Sequence, residues 1–218
     1  MIEDAQELRD HWWWRPGWKP GRHFYTWHLT FAGEPALHAL ITTYQNALRH
    51  LPGLDLIPHD WLHLTMQGVG FVDEVSKSDA HAIAEAAQAR LAALPAPTLT
   101  FDKPSIRPEA IALPPQPAEP VHHIRTAIRA AIADVWGPDR VPEQADGYQP
   151  HLSLAYVRTD GPATPVRDAL SAVTPDPVQV TIHTASLIRL ERANRLYRWQ
   201  EFTTAALTRG TILDTPSN

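Results

Sequence analysis

The sequence contains no cysteine. That one absence excludes disulfides, thiolate metal sites and a cysteine nucleophile together, and it leaves the redox compartment open. Lysine is almost as scarce. Only Lys19, Lys77 and Lys103 occur, so the remaining cationic side chains are arginines, which grip phosphate in a bidentate fork. No run of 18 apolar residues exists, so no transmembrane helix is expected. The opening Met1–Ile2–Glu3–Asp4 is acidic, unlike the basic then apolar layout of a signal peptide, and the chain is read as soluble and cytoplasmic. A net charge of −5 and a pI near 6.2 leave no surplus of cations for gripping a long DNA duplex, which needs many phosphate contacts. A small nucleotide or an RNA end needs only a few local cations, and the global charge does not exclude it. What the chain does have is a hydrophobic content of 44% over 218 residues. That suffices for a core in one large domain or two small lobes.

Two stretches carry chemistry. One is Leu62–His63–Leu64–Thr65–Met66; the other is Tyr148–Gln149–Pro150–His151–Leu152–Ser153–Leu154–Ala155–Tyr156. Each contains histidine, an apolar residue, a hydroxyl residue and another apolar residue. On a strand, side chains at i and i+2 share a face. His63 and Thr65 therefore project together, as do His151 and Ser153, while Leu64, Met66, Leu152 and Leu154 turn to the opposite side. Two such strands facing each other would surround one small anion with an acid, a base and two hydroxyls.

Along the chain, residues 1–21 form a Trp-rich segment with four of the eight tryptophans, and its prolines and glycines argue against a regular element. These rings could form a flap over a nucleobase or dock on the body as added core, the commoner fate of tryptophan. A strand is expected over 23–32, a helix from Pro35 to about 51, and a strand over 61–72 that could break at Gly68 or Gly70. A second helix follows over 76–94. Residues 98–106 and 109–113 read as a hairpin around Arg107–Pro108. Pro114 to Pro120 reads as a connection between lobes. Then come a helix from Val121 to Trp136, a strand over 148–157, and a short helix with Thr164 as N-cap and Pro165 at its first position. A long strand over 178–190 and its partner over 196–207 complete the domain, and residues 209–218 form a tail. The element order repeats although the residues do not. Lobe halves of roughly 22–114 and 118–208, with exchange of strands possible, would then bring the two motif strands together across one cleft.

Trp27–His28–Leu29–Thr30–Phe31 matches the same bare pattern. The element order breaks the tie. His63 and His151 each follow a helix and precede another, whereas His28 lies on an opening strand, so His63 is taken as the partner of His151. A lone triplet of this kind is more simply an ordinary half-buried strand; two in matching places are harder to dismiss. The other histidines show no paired spacing with carboxylates, and no His-Glu-x-x-His or similar zinc signature occurs.

At these two motifs the chain resembles the two-histidine (2H) phosphoesterase superfamily, in its 2′-5′ RNA ligase-like branch. The second motif, with proline just before the histidine, is the closer match, although Ser153 stands where threonine is commoner. The Trp-rich head is a further departure. The resemblance implies an α+β fold of two pseudo-symmetric lobes, each an antiparallel sheet with helices outside, facing across a water-filled cleft. It also implies hydrolysis of 2′,3′-cyclic phosphates or related phosphodiesters without metal or other cofactor, and in some members the joining of RNA ends through 2′-5′ linkages. The expected partner is a small nucleotide or RNA terminus, with no duplex DNA and no membrane, and the protein is expected to be a monomer.

Histidine titrates near neutrality, so one imidazole can take a proton from water while the other gives one to the leaving ribose oxygen. The hydroxyls of Thr65 and Ser153 would hydrogen-bond the phosphate oxygens as charge builds. Tyr25 and Trp27 are candidates for base stacking. Tyr148 and Tyr156 flank the second motif, although strict alternation puts Tyr156 off the face of its histidine. All four are equally compatible with a place in the core. Two other readings compete with the hydrolase: a non-catalytic nucleotide- or RNA-binding module on the same fold, and a specialised enzyme acting on a non-RNA cyclic nucleotide or metabolite.

Overall fold

Helices begin where proline or serine marks a start, and strands form where apolar residues alternate. The computed structural model describes residues 4–208; the expected tail at 209–218 lies outside the described residues. A two-residue strand β1 (Glu7–Leu8) precedes β2 (His23–Thr30), α1 (Pro35–Leu48), β3 (Leu54–Leu56) and β4 (His63–Phe71). There follow α2 (Lys77–Leu91), β5 (Thr98–Phe101), β6 (Ser105–Ile106), β7 (Ala110–Leu113) and α3 (Glu119–Trp136). The order closes with β8 (Leu152–Val157), β9 (Gly161–Pro162), α4 (Thr164–Ser171), β10 (Val178–Thr181), β11 (Thr184–Ala193) and β12 (Leu196–Ala206). The fold is α+β. Among the described residues no helix is long and apolar enough to cross a membrane.

Pro35 occupies the first turn of α1, where a missing N–H leaves nothing unpaired. Leu37, Leu40, Ile41, Tyr44 and Leu48 are buried on one stripe. Burying such a side chain contributes about 1.5–3 kcal/mol relative to exposing it, so packing rather than propensity fixes this helix. Ser76 caps α2 by accepting from the Asp79 amide at 3.0 Å. Helix α3 buries Val121, Ile124, Ile128 and Ile132 and stops at Gly137, whose φ of +89° suits glycine.

The main sheet runs β12-β11-β2-β4-β8-β7-β6, with β3 also paired to β8. All its pairings are antiparallel. Strands β4 and β8 meet through a single residue pair, Leu64 with Leu152. The sheet is therefore two four-strand halves joined at one narrow seam, and the seam lies between the two motifs.

Three readings of the sequence shift. Residues 178–190 are two strands, because Val178–Thr181 pairs with Thr98–Phe101 in a separate sheet and the Ile182 amide donates to the Pro97 carbonyl at the break. The hairpin expected over 98–113 shrinks to β6 and β7 for the same reason. Thr164 is the first residue of α4 rather than its cap, which is Ala163.

Candidate active site

The pairing of Leu64 with Leu152 sets the geometry of the site. In an antiparallel pair, one step forward on one strand falls opposite one step back on the other. His63 therefore falls opposite Ser153, and Thr65 opposite His151. A local twofold axis passes through the seam and exchanges the motifs. All four side chains line one open cleft of about 740 Å³.

The two imidazoles are anchored alike. His63 Nδ1 lies 2.8 Å from the Trp61 carbonyl oxygen, and His151 Nδ1 lies 2.8 Å from the Gln149 carbonyl oxygen. A carbonyl only accepts, so each neutral imidazole carries its proton on Nδ1 and presents the lone pair of Nε2. Burial pushes the His63 pKa down to about 4, against a smaller upward pull from the Trp61 carbonyl. His151 is also lowered to about 4, first by burial and then by the Arg107 guanidinium and the His63 charge, with the Gln149 carbonyl acting upward. The pair is thus neutral at neutral pH before an anion binds. A phosphate between the two nitrogens would favour the charged form and draw a proton in.

His28 also lines the cleft, on the strand next to the first motif and beside His63. It pairs with Thr65 across β2 and β4 and stacks flat on His63, with ring centres 4.3 Å apart and planes 7° apart. Its Nε2 is 3.4 Å from Thr65 Oγ1, and its Nδ1 has no partner. Full burial, then the neighbouring His63, hold its pKa well below that of a free histidine. A neutral ring thus supports both His63 and Thr65 from the side.

The candidate stacking aromatics divide. Tyr25 and Trp27 are corrected to core residues, 1% and 0% exposed, on the face of β2 opposite His28. Tyr148 is half-buried and lies outside the cleft lining; its hydroxyl donates to the Thr65 carbonyl at 2.7 Å, and the Arg125 guanidinium covers its ring. Burial, the largest cause, raises the pKa of its phenol. It braces the first motif strand. Tyr156 does line the cleft. Strict alternation fails because Ala112 pairs with Ser153 while Ile111 pairs with Ala155, leaving Leu154 as an extra residue. Such a bulge turns the following side chains over by one. Two further shifts of register in β4 place Gly68 opposite Thr26 and turn Gln67 inward, where Arg129 donates to it. Gly68 allows a close approach, since an added Cβ would lie 2.6 Å from the Glu143 carboxylate.

The Trp-rich head supplies residues that sequence reasoning missed. The His11 ring stacks on Tyr156 with centres 4.2 Å apart and meets the Tyr197 hydroxyl at 3.1 Å. Burial first, then Arg15 and Arg192, lower its pKa to about 3. Its amide donates to the Val157 carbonyl, and Arg192 of β11 donates to the carbonyls of His11 and Trp13. The head thus straps one half of the sheet to the other at the end of the cleft. Trp12 packs there and donates to Asp55, and Trp18 lines the cleft beside Phe24. Trp13 and Trp14 are 48% and 58% exposed. Of the two fates considered for the tryptophans, docking on the body describes Trp12. Among the described residues, no three His, Asp or Glu side chains are grouped so as to hold a metal ion.

Comparison with known proteins agrees with this fold. The fold is similar to that of TT0787 from Thermus thermophilus, with a TM-score of 0.63 at 21% identity over 87% of this chain and 99% of that one. It is also similar to E. coli LigT crystallised with ATP, with a TM-score of 0.59 at 20% identity over 86% and 99%. LigT with 3′-AMP gives a TM-score of 0.59 at 19% identity over the same shares. No curated protein is similar enough to count as a relative. The family model described as the 2′-5′ RNA ligase superfamily matches residues 33–194, which include both motifs and the seam between them, and the chain belongs to that superfamily.

Proposed function

We propose that the protein hydrolyses a 2′,3′-cyclic phosphate, or a related 2′-5′ phosphodiester, of an RNA end or small nucleotide, without a metal. The observation that carries this reading is the matched anchoring of His63 and His151, each holding Nδ1 on its own i−2 carbonyl at 2.8 Å. Water attacks phosphorus on the side of one Nε2, which takes the water proton. The bond from phosphorus to the 3′ oxygen breaks, and the other imidazole gives its proton to that oxygen, leaving a 2′-phosphate. The pair returns to its starting state by exchange with solvent. Thr65 and Ser153 donate to the non-bridging oxygens as their charge grows, which contributes typically 10²–10³-fold per donor, by the ~2.7–4 kcal/mol measured for oxyanion donors. The local twofold lets either imidazole take either role, and the orientation of the bound substrate decides which is acid and which is base.

A nucleotide suits the cleft in size, and the LigT structures hold ATP, NADP+ and 3′-AMP. A purely binding module would not need two imidazoles held as proton carriers beside two hydroxyls. The test is ³¹P NMR of adenosine 2′,3′-cyclic phosphate incubated with the protein in EDTA. The expected product is adenosine 2′-phosphate; an intact substrate with a folded protein rejects the reading.

A further inference from the structure

The cleft is rich in arginine on the side of the head. Arg9 and Arg15 from the head and Arg107 from the turn between β6 and β7 all line it, with two carboxylates, Glu109 and Glu143, the latter turned to Arg125 at 3.8 Å. Three arginines share this cleft in a chain whose net charge is −5. Glu109 is already engaged: Arg15 donates to Oε2 at 2.5 Å and the Trp13 indole donates to Oε1 at 3.0 Å. His11 Nδ1 lies 3.4 Å from the same carboxylate without hydrogen-bond geometry. The ring is held neutral by burial and the nearby arginines, so it adds no charge.

The other two cations are uncommitted. Neither Arg9 nor Arg107 enters an ion pair among the described residues. Arg107 donates through Nη2 to the Gln149 side chain at 3.0 Å, while its Nη1 is buried with no partner. An unpaired buried guanidinium N–H is costly and is commonly met by an anionic ligand. Arg107 also lies close enough to His151 to lower its affinity for a proton, so an anion held here adjoins the reacting centre. The superfamily match begins at residue 33, so Arg9 and Arg15 lie outside it.

We propose that Arg9, Arg15 and Arg107 form a second anion subsite that takes another phosphate group of the substrate, beside the one held by the two histidines. This rests on the hydrolase reading above, since it assigns the rest of the same ligand. Guanidinium forks match phosphate oxygens in geometry and charge. The second phosphate belongs either to the 5′ position of a mononucleotide or to the next internucleotide link of an RNA end, and experiment separates these sources.

The experiment compares kcat/KM for three substrates: adenosine 2′,3′-cyclic phosphate, its 5′-phosphorylated form, and a diadenosine dinucleotide ending in the cyclic phosphate. A charge-assisted contact of this kind makes the substrate with the second phosphate better by roughly tenfold to a hundredfold. A gain for the 5′-phosphorylated form names the mononucleotide; a gain for the dinucleotide names the RNA end. The gain shrinks toward unity in both Arg107→Gln and the exposed head variant Arg9→Gln. Equal rates for all three substrates, or a gain untouched by either variant, overturn the subsite while leaving the hydrolase reading intact. Calorimetric binding of 5′-AMP against adenosine reads the subsite without turnover. Tighter binding of 5′-AMP that depends on Arg9 and Arg107, with no hydrolysis of any cyclic substrate, overturns the hydrolase reading and keeps the subsite. Equal binding of the two, or a difference unchanged in both variants, counts against it.

Discussion

The two motif strands are alike in what they present to the proposed phosphate site and unlike in everything around it. His63 and His151 each have a carbonyl anchor two residues back, a hydroxyl residue two residues on, and a hydroxyl residue opposite across the seam. Around His63 lie aromatic rings: His28 stacked on one side and Trp199 edge-on at 5.2 Å. Beside His151 lies Arg107, and the head adds Arg9 and Arg15 to the lining of the same cleft. In the proposed reaction, symmetry is kept where proton transfer needs two like groups, and it is lost where a substrate would be told apart from its neighbours. The asymmetry is concentrated in the head and the 107–109 turn, which lie outside the repeated core of motif strands.

The strongest way to break the comparison is to remove one member of the symmetric pair. His63→Ala and His151→Ala should each lower kcat by on the order of 10²–10⁴, and to a similar extent, measured on a cyclic nucleotide with circular dichroism confirming the fold. A large loss in one variant and a small loss in the other would mean that the twofold is only geometric. Thr65→Ala and Ser153→Ala should follow, each with a loss of about 10²–10³ in kcat, again matched across the seam.

The pH response sharpens the same point. The folded pKa values of His63 and His151, about 4, lie below the value near 6.5 of an unfolded histidine. The unfolded chain then binds more protons between those values, so stability is full above about pH 6.5 and falls as pH drops toward 4. For His63 alone the loss is on the order of 3 kcal/mol. Thermal melts between pH 7 and pH 4 should show a falling Tm, and added inorganic phosphate, which favours the charged pair, should reduce the slope. A Tm independent of pH in that window would contradict the buried, neutral pair. In kinetics, kcat/KM reports the free pair and should decline as pH rises through neutrality, whereas kcat should hold to higher pH because the bound phosphate retains the proton.

The smallest effects test the asymmetric side. Trp12→Ala should destabilise by about 2–3 kcal/mol, since the ring packs between Tyr156 and Tyr197. Trp14→Ala should stay within about 0.5 kcal/mol, because that ring is more than half exposed. Chemical denaturation reads both, and equal effects would dissolve the distinction drawn within the head.

The symmetric part was legible and the asymmetric part was not, for a physical reason. A histidine and a hydroxyl at i and i+2, with apolar residues between, announce one strand face, and element order was enough to prefer His63 over His28. Alternation could also have excluded Tyr25 and Trp27, since both lie at odd offsets from His28 and must turn to the core. What alternation cannot announce is its own interruption. The extra residue at Leu154, with no glycine or proline to mark it, brought Tyr156 into the cleft. The head wall depends on contacts between residues far apart in the chain, such as His11 with Tyr156 and Arg192 with Trp13. These leave no period in the sequence, and nothing near Arg107 marks it as facing His151.

The most direct test of the central claim, that His63 and His151 act as one proton-transferring unit, is a double-mutant cycle on kcat with a 2′,3′-cyclic nucleotide in EDTA. Groups that act as a unit lose nearly everything when either is removed. The double variant should therefore fall within about tenfold of the slower single variant. Losses that multiply, or one single variant turning over near the wild-type rate, would contradict the claim.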